Sequence, residues 1–418
     1  MQYYILVDCN NFFASCERVF RPDLRTTPIA VLSNNDGCVI ARSQEVKDAG
    51  IKMGAPYFKV KDELNRLGAE VFSFNFTLYA DMSDRVFECL KQFSPDIEKY
   101  SIDECFLKVS DKEDVATLAE DIRREVFRAT SLPVGVGYGV TKTQAKMASH
   151  YAKTSKRYVA GFSDYRMNFI GDMIDVGEIW GVGRRHTKTL KRRGIATLKD
   201  FVTTPEDTIK KLLHTPGLRT YLELKGIPCY DLESIPQPKK SILSSRSFGT
   251  RQTKQDAIFA ALSHNICRAA ERLRKQGSVA YTMTVFIRTS PFSTPNTSSS
   301  KTITFSTPTD ITPDLLKAAK KLLKTMYKPG YEYAKSGVLL SVIVPAAQVQ
   351  DHLFAPKSER DDAVSALMKT VDTINTKWGR GTIDMSCTTH ENDTWKRIQG
   401  NVSPRYTTSW QELPVVRI

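Results

Sequence analysis

The sequence runs to 418 residues, 41% of them hydrophobic and 25% charged, with a formal net charge of +14. A chain of this length and ordinary globular composition has room for several hydrophobic cores. No run of about 18 apolar residues occurs and no basic-then-apolar leader opens the chain, so neither a spanning helix nor a secretory signal is expected, and the location read from it is cytoplasmic. The 8 cysteines include no CxxC pair and the 6 histidines no HExxH, which argues against structural zinc and for reduced thiols. The charge is uneven. Residues 239–345 hold 17 Lys and Arg against 5 Asp and Glu, a surplus of 12. A basic module of that kind points to a polyanionic partner.

In chain order, Tyr3–Val7 is an apolar run that stops at Asp8, the pattern of a buried strand delivering an acid to a sheet edge or mouth. Residues 10–74 alternate short helical and extended stretches, punctuated by Gly37, Gly50, Gly54 and Pro56, and read as a small inserted subdomain. Phe87–Phe93 predicts a helix ending before Pro95. Residues 97–109 (IEKYSIDECFLKV) place two short runs of β-formers around Ser101–Glu104. That predicts a β-hairpin with Asp103 and Glu104 at its tip. A helix over about 113–129, a β-run over 132–140 and a basic helix over 141–153 follow.

Residues 166–235 read as small and helical. Within them Ile179–Gly183, Leu190 and Gly194–Ile195 have the pattern of a helix–hairpin–helix, and Arg184–Lys199 carries seven Lys and Arg and no acid. Gly181 and Gly183 let backbone N–H groups at a helix start approach a phosphate, with Arg184, Arg185 and Lys188 adding charge, so this segment is expected to grip a DNA backbone. Residues 236–242 form a Pro-containing linker. Beyond it come a strand (about 243–249), a helix (256–275), two strands (279–289, 301–306), a helix (313–327) and a strand (336–344). This βαββαβ order is the split βαβ unit. A helix near 358–377 follows, and Trp378, Trp395 and Trp410 lie in the final stretch.

If the first strand lies beside the hairpin, Asp8, Asp103 and Glu104 converge. Three carboxylates so close repel one another unless cations neutralise them. Ligands made only of oxygen suit Mg²⁺, which completes its shell with waters and substrate phosphates. Two-metal phosphoryl transfer, with ions roughly 4 Å apart, fits that arrangement. An Asp-Glu pair at a hairpin tip is otherwise ordinary turn chemistry.

The stretch Asp8–Glu17 (DCNNFFASCE) resembles the first active-site segment of the Y-family DNA polymerases, and Ser101–Glu104 their second. Leu32–Arg42 (LSNNDGCVIAR) and Tyr79–Ser83 (YADMS) carry the likeness further, toward the UmuC type, and it runs over nearly the whole chain. The resemblance implies an α+β, multidomain polymerase right hand. Residues 1–165 would be the palm with inserted fingers (about 10–74), 166–235 a helical thumb, 243–345 the βαββαβ little finger, and 346–418 a C-terminal partner-binding tail.

It also implies roles for individual residues. Asp8, Asp103 and Glu104 are the catalytic ligands of two Mg²⁺, with Cys9 offering its backbone carbonyl. Phe13 occupies the steric-gate position that meets a ribose 2′-hydroxyl, and Phe12 before it is counted with the nucleotide-binding residues, although it also suits an ordinary core. Arg42, Gln44, Lys47 and Lys153 serve the incoming triphosphate; many family members have Tyr and Arg where this chain has Gln44 and Lys47. Gln350, Leu353 and Phe354 fit the peptide by which bacterial polymerases bind the sliding clamp, although Leu353 and Phe354 also suit an ordinary core. The activity implied is error-prone translesion synthesis in DNA repair and the SOS response. Its partners would be primer–template DNA, deoxynucleotides, the clamp, a processed UmuD-type subunit and a recombinase filament, with no membrane. A DNA-binding scaffold without catalysis, or another palm-type enzyme such as a nucleotide cyclase, would share part of the pattern.

Overall fold

The computed structural model describes residues 2–110, 114–162, 171–233, 237–349, 359–379, 381–388 and 395–413. Its first unit, residues 1–33, 37–236 and 401–418, is built on strand β1 (Gln2–Cys9). Tyr4 to Val7 are all buried, because both faces of β1 are covered. Ile5 and Val7 join a large core, whereas Tyr4 and Leu6 meet Phe106 and Ala145 on the other side. The alternation of side chains along a strand then carries Asp8 to the Tyr4/Leu6 side.

Helix α1 (Phe12–Phe20) leaves β1 through Asn11, which adopts a left-handed backbone at φ 51°. A small sheet follows, β2 (Ile29–Leu32), β3 (Val39–Arg42) and, after helices α2 (Gln44–Asp48) and α3 (Tyr57–Arg66), β4 (Glu70–Ser73), in the order β3-β2-β4. Its own core of Ala30, Leu32, Val39, Val46, Ile51 and Leu64 is separate from the main one. The chain returns through α4 (Phe76–Leu90), β5 (Ile97–Lys99), β6 (Glu104–Ser110), α5 (Val115–Thr130), β7 (Val134–Gly139), α6 (Lys142–Thr154) and β8 (Val159–Gly161). The main sheet is ordered β5-β6-β1-β7-β8, with β1 antiparallel to both β6 and β7.

Alternate glycines in β7 (VGVGYG) let α6 lie unusually close. A Cβ on Gly137 would stand 2.1 Å from the Ser149 backbone nitrogen and 2.3 Å from the Ala145 carbonyl oxygen. Helices Arg184–Lys191, Leu198–Thr203 and Glu206–Leu224 share a further core around Leu190, Phe201 and Leu213. They are pinned to α6 by Glu223, which is buried and accepts hydrogen bonds from the Thr143 N–H (2.9 Å) and hydroxyl (2.8 Å).

The second unit, residues 34–36 and 237–400, is a four-stranded antiparallel sheet, β9 (Ser241–Gln252), β10 (Ser278–Thr289), β11 (Ser298–Thr309) and β12 (Tyr333–Pro345), in the order β11-β10-β12-β9. Helices Gln255–Lys275 and Thr312–Met326 supply the apolar partners of one face. The register brings Thr284, Leu339 and Leu243 into one row and Phe286, Gly337 and Ser245 into the next. The Phe286 ring lies over Gly337, where a Cβ would meet ring Cζ at 2.4 Å, and the Arg288 guanidinium stands 4.9 Å from the ring centre. Helix Glu359–Trp378 is joined to Gln255–Lys275 by a bidentate Arg274–Asp372 pair at 2.6 and 2.9 Å.

The stretch 346–418, expected as one tail domain, is instead divided. Trp395 is buried in the core of the second unit, whereas Asn401 onward belongs to the first, where Tyr406 stacks on Phe20. Each aromatic ring finds its apolar partner in a different unit. Among the described residues no helix is long and apolar enough to cross a membrane.

Candidate active site

The β1–β6 register sets Asp8 directly opposite Glu104, and the Cys9 N–H donates to the Asp103 carbonyl at 2.9 Å. The sequence places an acid at the end of each strand; this pairing places them side by side. The intervening turn is held by Ser101. Its hydroxyl donates to Asp103 Oδ1 at 2.6 Å and accepts from the Asp103 and Glu104 N–H groups at 3.2 and 3.0 Å.

Each acid is engaged with a group of the protein. Helix α6 projects Lys146 and Lys153 seven residues apart, two turns along one face. Lys146 Nζ lies 3.1 and 2.9 Å from the two Glu104 oxygens, and Lys153 Nζ pairs with Asp8. Accordingly, no three His, Cys, Asp or Glu side chains among the described residues stand close enough to enclose a metal ion. The donor set nevertheless suits a hard cation. It is all oxygen, and Asn10 Oδ1 is buried with no hydrogen-bond partner among the described residues. Burial pushes the Asp8 carboxyl up to about 6 despite Lys153, and repulsion from Glu104 and Asp103 adds to the rise. Cys9 is buried, which drives its thiol well above the ordinary range.

Lys153 pairs with Asp8, and Lys47 lies within reach of the charges of Asp8, Lys153 and Arg42. The Lys47 ammonium is held below its usual range by burial, then by the positive charges of Arg42 and Lys153. Arg42 donates to the Ile51 carbonyl, and its Nε is buried without a partner. Gln44 is exposed and donates to Asp48 Oδ1 at 2.7 Å. Gly135 makes room for Lys153: a Cβ there would lie 3.2 Å from Lys153 Cε and 3.4 Å from Asn10 Oδ1.

The two expected aromatics part company. Phe12 is 4% exposed and belongs to the main core, because its place on α1 points it inward. Its side chain therefore packs in the core, the alternative that the sequence left open for it. Phe13 is half-buried and stacks on Tyr79, centroids 4.5 Å apart and planes at 15°. Lys142 turns away from the site to a buried pair with Glu98 at 2.6 Å.

Gly181 has φ +88°, and Gly183 caps helix Arg184–Lys191 with open space where a Cβ would stand. Arg184, Arg185 and Lys188 are exposed on that helix. Gln350, Leu353 and Phe354 lie outside the described residues. Sequence reasoning missed Gly135; it set Asn10 in the metal-binding segment, Ser101 in the second motif and Lys146 on the basic helix without giving them these partners. The seven-residue spacing of the two lysines and the alternate glycines of β7 were the signals available.

Lys146 is also ringed by aromatics, 4.4 Å from the Tyr100 ring centre and 5.4 Å from that of Trp180. The Trp180 indole N–H donates to the Tyr100 hydroxyl at 3.2 Å, which locks the two rings together.

The sequence matches the impB/mucB/samB family over residues 7–150, that family's C-terminal domain over 239–353, and a domain of unknown function over 365–416. It is 40% identical to the protein UmuC of Salmonella typhimurium, covering 98% of this chain and 99% of that protein. It is 38% identical to ImpB of Salmonella typhimurium over 99% of this chain and 100% of that protein. A DNA polymerase IV of Bacillus velezensis shares 25% identity over 90% of this chain and 91% of its own. Among solved structures, a Y-family DNA polymerase chimera aligns with a TM-score of 0.65 at 21% identity, over 82% of this chain and 99% of that one, a likeness of fold. With its acids on paired strands and its full-length relatives of the UmuC type, the chain belongs to the impB/mucB/samB family.

Proposed function

We propose that this polymerase extends a primer past damaged template bases by two-metal phosphoryl transfer, with low fidelity and as part of the SOS response. The observation that carries the reading is the side-by-side placement of Asp8 and Glu104, with Asp103 at the turn and the Lys153 ammonium paired with Asp8. Asp8, Asp103, Glu104 and the Cys9 carbonyl would hold two Mg²⁺, which when bound lower the pKa of the attacking hydroxyl and neutralise the leaving pyrophosphate.

The chain's own groups do the rest. Lys153, Lys47 and Arg42 receive the triphosphate of the incoming deoxynucleotide. Lys153 exchanges its Asp8 partner for a phosphate, which frees that carboxylate. Lys47, unlike an arginine, contacts phosphate as a point charge. Phe13 presents a flat ring where a ribose 2′-hydroxyl would stand. Gly181, Gly183, Arg184, Arg185 and Lys188, with the basic second unit, hold the duplex through its phosphates, so binding is insensitive to sequence and weakens with salt.

A processed UmuD-type subunit, a recombinase filament and a sliding clamp engaging Gln350, Leu353 and Phe354 complete the set of partners; the protein acts in the cytoplasm. Extension of a primer across an abasic site, with and without these partners, tests the reading. Asp103→Asn should reduce nucleotide addition at least about a hundredfold while leaving DNA affinity unchanged, because only charge at the metals is lost. Near-parental extension by this variant refutes the metal assignment. Tight DNA binding without extension under every condition would make the protein a scaffold.

A further inference from the structure

Behind Phe13 runs a continuous chain of contacts that ends in the C-terminal segment. Phe13 stacks on Tyr79 of α4, and Phe74 closes on both rings at 5.2 and 5.5 Å. The Tyr79 hydroxyl donates to Glu17 Oε1 at 2.6 Å. Glu17 stands on α1 one turn beyond Phe13, is 0% exposed, and leaves Oε2 without a hydrogen-bond partner. A second hydrogen bond reaches Glu17 Oε1 from the Ser403 hydroxyl at 3.0 Å.

Ser403 is placed by several independent contacts. Asn75 Nδ2 donates to its carbonyl at 3.1 Å and to its hydroxyl at 3.0 Å, while Asn75 Oδ1 caps α4. Asn401 exchanges hydrogen bonds with Ser73, its N–H to Oγ at 2.9 Å and its carbonyl from the Ser73 N–H at 2.8 Å. Tyr406 stacks on Phe20 at 4.8 Å, with planes at 12°. The segment therefore touches α1, which carries Phe13, and the start of α4, which carries the ring behind it. It is joined to Glu17 from 386 residues away along the chain.

We propose that residues 401–406 form a sugar-selectivity element of this polymerase, in which Ser403, acting through Glu17 and Tyr79, is a positioning residue for the Phe13 ring. The inference rests on the reading of Phe13 as the gate against ribonucleotides. A buried carboxylate keeps its rotamer when its lone pairs are occupied by fixed donors. With Ser403 in place, Tyr79 is held against Glu17 and Phe13 cannot withdraw toward Phe74. Without the hydroxyl, Glu17 and Tyr79 gain freedom and the ring yields to a 2′-hydroxyl. This assigns a role to part of the domain of unknown function matched over residues 365–416.

The test compares kcat/KM for deoxy- and ribonucleotide insertion by the full chain on an undamaged primer–template, together with melting temperature. Ser403→Ala should lower discrimination about fivefold or more, through a gain with ribonucleotides, while deoxynucleotide insertion keeps its parental value. Ser403→Thr, which retains the hydroxyl, should restore discrimination. Tyr79→Phe, which keeps the ring stack and removes the donor, should reproduce the Ala result and serves if Ser403→Ala fails to fold. Phe13→Ala is the reference. If it leaves discrimination unaltered, the gate itself lies elsewhere and the element has nothing to position. If Phe13→Ala relaxes discrimination while Ser403→Ala and Tyr79→Phe retain it, the proposal is overturned and the gate stands. Equal relaxation by Ser403→Ala and Ser403→Thr also overturns it, because packing and not the hydroxyl would then be responsible.

Discussion

Lys146 Nζ sits 2.9 Å from Glu104 Oε2, with the Tyr100 ring centre 4.4 Å from the same ammonium. An ammonium in that position occupies a carboxylate that the proposed reaction needs for Mg²⁺, so lysine and cation compete for one acid. Lys146→Met keeps the apolar stem against the rings and removes the charge. Its half-saturating Mg²⁺ concentration in primer extension should fall by about threefold or more. An unchanged Mg²⁺ titration would mean that the ion pair dissolves without cost when cations arrive.

The closeness of α6 to β7 gives a graded pair of substitutions. Gly137→Ala drives a methyl into the Ser149 and Ala145 backbone, which cannot retreat without lifting the helix. Overpacking of that kind typically costs about 1–3 kcal/mol, and here it should be at the upper end. Gly135→Ala meets only the flexible Lys153 stem and the Asn10 side chain, so its melting temperature should change much less. Equal losses in the two variants would contradict the packing described.

Glu17 supplies a stability–pH relation. Burial pushes its carboxyl up from 4.5 to about 7, opposed by hydrogen bonds from Tyr79 and Ser403 and by attraction to Arg21. The neighbouring Cys16, Tyr79 and Tyr406 all lie above their own ordinary ranges, so none of them titrates in this window. The folded chain thus holds a proton that the unfolded chain releases between pH 4.5 and about 7, and stability falls as pH rises through that interval. Glu17→Gln removes the effect. Its unfolding free energy relative to the parent should improve from pH 4.5 to 7 by on the order of 2–3 kcal/mol and then level. Asp8 is common to both proteins and cancels. Urea unfolding of the pair at pH 5 and pH 8 checks this; a difference independent of pH would place the proton elsewhere.

The proposed clamp peptide separates binding from folding. Leu353 and Phe354 contribute roughly 1.5–3 kcal/mol each if both enter an apolar pocket on the clamp. Replacing both with Ala should weaken clamp-stimulated synthesis yet spare single-nucleotide insertion without the clamp. A double variant of parental melting temperature and full clamp stimulation would remove the assignment; parallel losses of both would make the residues part of the core.

Local pattern made the strand ending in Asp8, the hairpin carrying Asp103 and Glu104 and the βαββαβ order legible. Each rests on a periodicity or turn signal contained within a few residues. The motif segments also carried the family. Pattern alone left three matters undecided. The register of β1 against β6, which puts Asp8 opposite Glu104, joins strands about a hundred residues apart and follows from burying both faces of β1. Adjacent Phe12 and Phe13 are alike in sequence, and only the main core beneath α1 sends the first inward and leaves the second half-exposed. Residues 401–406 carry no signal that they belong beside α1; a buried Glu17 in need of donors and the Phe20 ring in need of a partner brought them there. Secondary structure is specified by neighbours along the chain, whereas the partner of a buried charge is chosen by whatever the fold brings within 3 Å of it.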